Sequence, residues 1–165
     1  MAVTRDILRT WRTPRRVIRD LLAMGPREDR ALAYLMAACV MIFVAQWPRL
    51  TRDAHFAGED LSQRIGYEMT SWLIVWPLFF YILALVLHGV LLFFRARGSW
   101  FGARLALFWA LLASSPMMLF YGLLVGFTGQ TTGTHLVGGA WLLALTVFLI
   151  QGLREVEFGA GDSNV

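Results

Sequence analysis

The chain contains no lysine: all fifteen of its basic residues are arginine. It holds one cysteine, Cys39, inside an apolar run. An intramolecular disulfide is therefore excluded, and a reactive thiolate is disfavoured in such surroundings. A free cysteine there reads as a small core residue. Carboxylates are missing from every long apolar run. That absence weakens any reading as an intramembrane enzyme, because acid–base or metal chemistry needs several ionisable groups converging on one point. There is no glycine-rich phosphate loop, no Cys/His metal spacing and no nucleophile elbow. Asp53, Glu59, Asp60 and Glu68 stand at irregular spacing and do not match a calcium loop. The expectation is no catalytic residue, no metal and no cofactor.

What the sequence has in excess is hydrophobicity. Its apolar fraction is 58% and its mean hydropathy +0.58, against roughly 45–50% apolar in soluble domains. Four runs are long and apolar enough to span a bilayer, which takes about 20 helical residues: Ala31–Trp47, Met69–Phe94, Ala103–Phe127 and Leu136–Leu153. Each is too short to hold two spans and a turn, and lipid requires each to be helical. The fold class expected is all-α, a polytopic membrane bundle of four transmembrane helices preceded by a basic amphipathic interfacial helix. Residues 1–29 form the basic segment, 30–155 the bundle, and 156–165 a flexible tail. Between the spans lie a polar loop from Arg49 to Glu68, a basic loop from Arg95 to Trp100, and an uncharged loop from Thr128 to His135.

The arginines set the orientation. Twelve lie on the side shared by the N-terminus, the Arg95–Trp100 loop and the tail, and three on the other. The positive-inside rule makes the first side cytoplasmic, with both termini there. Trp47, Trp72, Trp76 and Trp141 fall near the outer ends of spans, while Trp11 and Trp100 fall on the inner side, as an aromatic belt would. The net charge of +4 and the pI near 10 are explained by this topology, and nucleic acid is not expected as a partner. An all-arginine basic set reads as the codon usage of a GC-rich bacterial genome, and the location expected is a bacterial inner membrane.

The stretch "TWRTPRRVIRDLLAMGP" places Ile18, Leu21 and Leu22 at helical spacing, with Trp11 before them and Arg15 and Arg16 on the other face. Thr13–Pro14 opens a helix and Gly25–Pro26 closes it. No continuous apolar core makes it a signal peptide. A basic amphipathic helix of this kind lies in the membrane interface, gaining about 1 kcal/mol per arginine near anionic headgroups. The competing reading is a helix docked on the protein itself.

Inside the bundle, Ala103, Ala106, Ala110 and Ala113 form one smooth stripe of the third span, and Gly122 and Gly126 another. Small residues let helices approach closely in lipid. Four helices are not expected to bury both faces, which leaves one for a second copy or another membrane protein. Pro116 follows Ser114–Ser115, whose hydroxyls stand ready for the carbonyls a proline frees. His88 lies in the second span and is a candidate functional polar residue by position, or else a histidine bonded across helices. With Gln46, Ser114 and Ser115 it offers the lining of a small transporter, the alternative to a non-catalytic role.

In this order, "TPRRVIRDLL", "RALAYLMAA", "RARGSWFGARLALFWALLASSP" and "AWLLALTVFLIQGLRE" resemble the bacterial members of the Yip-one domain family over about residues 8–155. The resemblance implies a polytopic, non-enzymatic membrane protein that organises or associates with other membrane components. The family usually has five spans and this chain has four. The acidic-aromatic-glycine-proline signature of its eukaryotic members is also missing.

Overall fold

In lipid, backbone N–H and C=O groups have no water to bond, so apolar runs of this length satisfy them internally as helices. The computed structural model describes residues 3–58, 60–93 and 98–158, with side chains as far as Val156. Among these residues there are helices and no strands. Two short helices, α1 (Val3–Thr10) and α2 (Pro14–Ala23), precede the first long one, α3 (Glu28–Ala57). A second long rod is built from α4 (Leu61–Thr70), a π-helical turn (Ser71–Val75) and α5 (Trp76–Phe93). Helices α6 (Trp100–Thr128) and α7 (Thr132–Phe158) complete the chain. Four helices, bounded by Glu28–Ala57, Leu61–Phe93, Trp100–Thr128 and Thr132–Val156, are long and apolar enough to cross a membrane. The segment expected from sequence as a flexible tail, 156–165, is helical at its start, since α7 continues to Phe158 and Val156 is buried; its remainder, 159–165, and part of the basic loop, 94–97, lie outside the described residues.

The polar stretch from Arg49 to Glu68 is not a loop. Helix α3 continues to Ala57 because Leu50 and Ala54 extend its buried stripe, and Arg49 bonds Gln46 and Glu68 across the gap to α4. Gly58, at φ +65°, ends α3 in the left-handed conformation that glycine adopts freely. Asp60 then caps α4, accepting the Ser62 N–H at 2.9 Å. A polar composition was mistaken for an irregular backbone.

Helix α6 is the centre of the molecule. Every residue from Leu105 to Ser115 is buried, and α3, α5 and α7 all pack on it. Its two small-residue faces are both occupied from within, contrary to the expectation that one would be left for a partner. On the alanine face, Ala106 approaches Gly152 of α7, where an added Cβ would sit 3.2 Å away. On the glycine face, a Cβ on Gly122 would fall 1.8 Å from the Ala45 carbonyl oxygen, and one on Gly126 would fall 2.3 Å from Pro48 Cβ. Ala103, Ala106, Ala110 and Ala113 are all 1% exposed or less.

Pro116 lies within α6. Having no N–H, it leaves the Leu112 carbonyl without its helical donor. Ser115 supplies one, its hydroxyl donating to Leu112 O at 2.8 Å, while Ser114 donates to Leu111 O at 3.1 Å. Beyond the proline, Pro116, Phe120, Leu123 and Phe127 are exposed along one face. That face, followed back, carries Ala113 and Trp109, where α1 and α2 sit.

Candidate functional site

The N-terminal segment departs from a plain helical bundle. Helices α1 and α2 form a hairpin whose turn, Trp11–Thr13, reaches α6 and α7. Thr13 holds the N-cap position of α2, yet its hydroxyl donates back to Arg9 O at 3.3 Å. Two indoles fix the hairpin from opposite sides. Trp11 donates its Nε1–H to Ala113 O of α6 at 3.2 Å and sets its ring edge-on to Phe148 of α7, centroids 5.1 Å apart. Trp109 of α6 donates to the Thr10 hydroxyl at 3.0 Å, and that hydroxyl donates onward to Asp6 O at 2.8 Å. Each bond is worth about 1 kcal/mol net, but leaving a buried indole N–H unpaired costs about 1–3 kcal/mol.

Ionic contacts lock the same hairpin. Arg9 bridges Asp6 and Asp20, each at 3.3 Å, tying α1 to α2. Arg19 pairs with Glu155 of α7 at 2.7 Å, and Arg30 of α3 donates to the Leu21 and Met24 carbonyls at the end of α2. The Arg19–Glu155 contact brings α2 and α7 together at one end of the molecule.

This geometry revises the interfacial assignment of the apolar residues. Val17, Ile18 and Leu21 are 1–2% exposed and belong to the main core, with Leu22 packed against it. Their partners are α6 and α7. Burial in lipid or in protein offers these side chains similar relief from water, so apolar area does not decide between the two. Directional bonds decide: the indole and Arg19 contacts exist only in the docked arrangement. Trp11 is 45% exposed.

With the apolar side spent, the opposite side of α2 and the turn before it are basic. Arg12 of the turn and Arg15 and Arg16 of α2 are exposed and make no ion pair among the described residues. Guanidinium groups on long stems present charge to headgroups while their methylenes stay against apolar surface.

The polar residues considered for a conduit are dispersed. Gln46 accepts from Arg49 in the second half of α3, toward the end of the bundle where α4 packs. Ser114 and Ser115 bond their own helix in the middle of α6. His88 is buried at the other end, its ring 4.6 Å from that of Trp100. Sequence reasoning passed over Trp109, fully buried in mid-span; only its single polar atom signalled that a partner was required. The chain matches no family model, no curated protein and no solved structure.

Proposed function

We propose that this is a non-catalytic, multi-pass membrane protein of the Yip type, whose docked N-terminal hairpin serves as its attachment face for other membrane components. One observation carries the reading: the hairpin commits Val17, Ile18 and Leu21 to the bundle and keeps Arg12, Arg15 and Arg16 outward. A basic helix that only anchored the chain would spend its apolar side on lipid. Here the four apolar helices anchor, and the arginine face is free to recognise anionic headgroups or an acidic surface. The excess of arginine on that side supports, by the positive-inside rule, a cytoplasmic position for the hairpin and both termini, and the location proposed is a bacterial inner membrane. Transport is the weaker reading, because Gln46, Ser114, Ser115 and His88 are each engaged locally at different depths.

Photocrosslinking tests the proposal. A benzoyl-phenylalanine at Arg12 or Arg15, in native membranes, should give a discrete lipid or protein adduct. The same probe at exposed Ser62, on the far side, should not give that adduct. Identical adduct patterns at both sides would remove the hairpin's special role.

A further inference from the structure

A second basic feature lies away from the hairpin, between α5 and α6. Tyr81, Ile82 and Leu85 of α5 and Trp100 and Arg104 of α6 line a cavity of about 430 Å³, within the size range of small-molecule sites. Its walls are aromatic and aliphatic apart from one guanidinium. Arg104 lies over the Tyr81 ring at 6.0 Å and gives one Nη to Glu28 of α3. Its Nε is buried and has no hydrogen-bond partner. A charged N–H hidden from water without an acceptor is costly, and Glu28 meets only part of the guanidinium's donor set of five.

The cavity joins the first turns of α6 to the middle of α5. Arg104 and its partner Glu28 stand near the starts of α6 and α3, where long apolar helices meet the headgroup region, and the N-terminal end of a helix adds partial positive charge there. Ile82 and Leu85 are more than half exposed and continue the cavity toward the hydrocarbon. An anion held on Arg104 with an apolar body lying along Ile82 and Leu85 fits both halves.

We propose that this groove is a binding site for one anionic phospholipid of the adjacent leaflet, its phosphate accepting from the accessible edge of the Arg104 guanidinium and its acyl chain lying over Ile82 and Leu85. The site does not depend on the hairpin or on the reading of its function.

Native mass spectrometry of the full-length protein in dodecyl maltoside, titrated with dioleoyl phosphatidylglycerol, tests it. The wild type should retain one phosphatidylglycerol about tenfold more readily than phosphatidylcholine, the scale of one charge-assisted bond. Arg104→Gln should abolish that preference. Leu85→Trp, which fills the groove and leaves the Arg104–Glu28 pair intact, should do the same and carries the test where Arg104→Gln does not fold. Glu28→Gln should keep or strengthen retention, since it removes the competing carboxylate. The combined variant Arg12→Gln, Arg15→Gln, Arg16→Gln should leave retention unchanged. Full retention in Leu85→Trp, equal retention of phosphatidylcholine, loss on changing the hairpin arginines alone, or inorganic phosphate matching the effect of the lipid would each overturn the assignment.

Discussion

At the scale of single residues, the bundle is held by what is missing from side chains. Gly122 has no room for a Cβ because the obstacle is the Ala45 carbonyl, which belongs to a helix backbone and cannot rotate aside. Gly122→Ala therefore forces α3 and α6 apart, and overpacking of this kind costs about 1–3 kcal/mol. Gly139 of α7 has nothing within 4 Å of the corresponding position. Gly139→Ala should be neutral or stabilising by about 0.5–1 kcal/mol through helix propensity alone. Melting of the two variants in the same detergent should separate them clearly; equal melting points would mean that α3 and α6 are not this close. The glycine and alanine spacing was legible as a packing signal, and Cys39, fully buried, is the small core residue its surroundings implied. What spacing does not encode is the owner of the helix that fills each face, so a partner was expected where α3 and α7 already stand.

At the scale of elements, the long helices and their order could be read because hydrophobic length is a local property. Docking of the hairpin could not. An amphipathic pattern in α2 is the same whether the apolar side meets lipid or protein, and the bonds that settle it join residues 99 and 102 positions apart. Trp11 reads from sequence as an interface residue; its indole bond to Ala113 O joins the hairpin to α6 one turn before Pro116. Replacing Thr10 by Val and Trp11 by Phe removes both indole bonds while keeping shape and apolarity. The expected loss is about 2 kcal/mol, or roughly thirtyfold in the opening equilibrium. Amide exchange over residues 3–23 should rise accordingly, and exchange in α3 and α6 should not. Unchanged exchange in the N-terminal segment would mean that packing of Val17, Ile18 and Leu21 holds the hairpin unaided.

At the scale of the whole molecule, α6 gathers three long helices and half of a fourth position. The hairpin covers one face of α6 only as far as Ala113; past Pro116 the same face is open. The hairpin thus does for half the depth of the bundle what another full helix would do for all of it. The four-helix count also fixes a parity, and the Arg19–Glu155 contact agrees with it, since the N-terminal hairpin and the close of the last helix meet there at the same end of the bundle. Alkaline phosphatase fused after Val165 should be inactive, and fused within Thr128–His135 active, if the arginine-rich side is cytoplasmic. The reverse result would invert the protein, and activity at both places would break the four-span arrangement.

The two indole bonds also carry a schedule. Trp11 leaves the ribosome about a hundred residues before Ala113, which at 5–20 residues per second is an interval of about 5–20 s. Over that interval the hairpin has no seat, and its apolar side chains have only the membrane surface or a chaperone to rest on. The hairpin is thus made before the helices that seat it, and it closes over α6 only after α7 has emerged to receive Trp11 and Arg19.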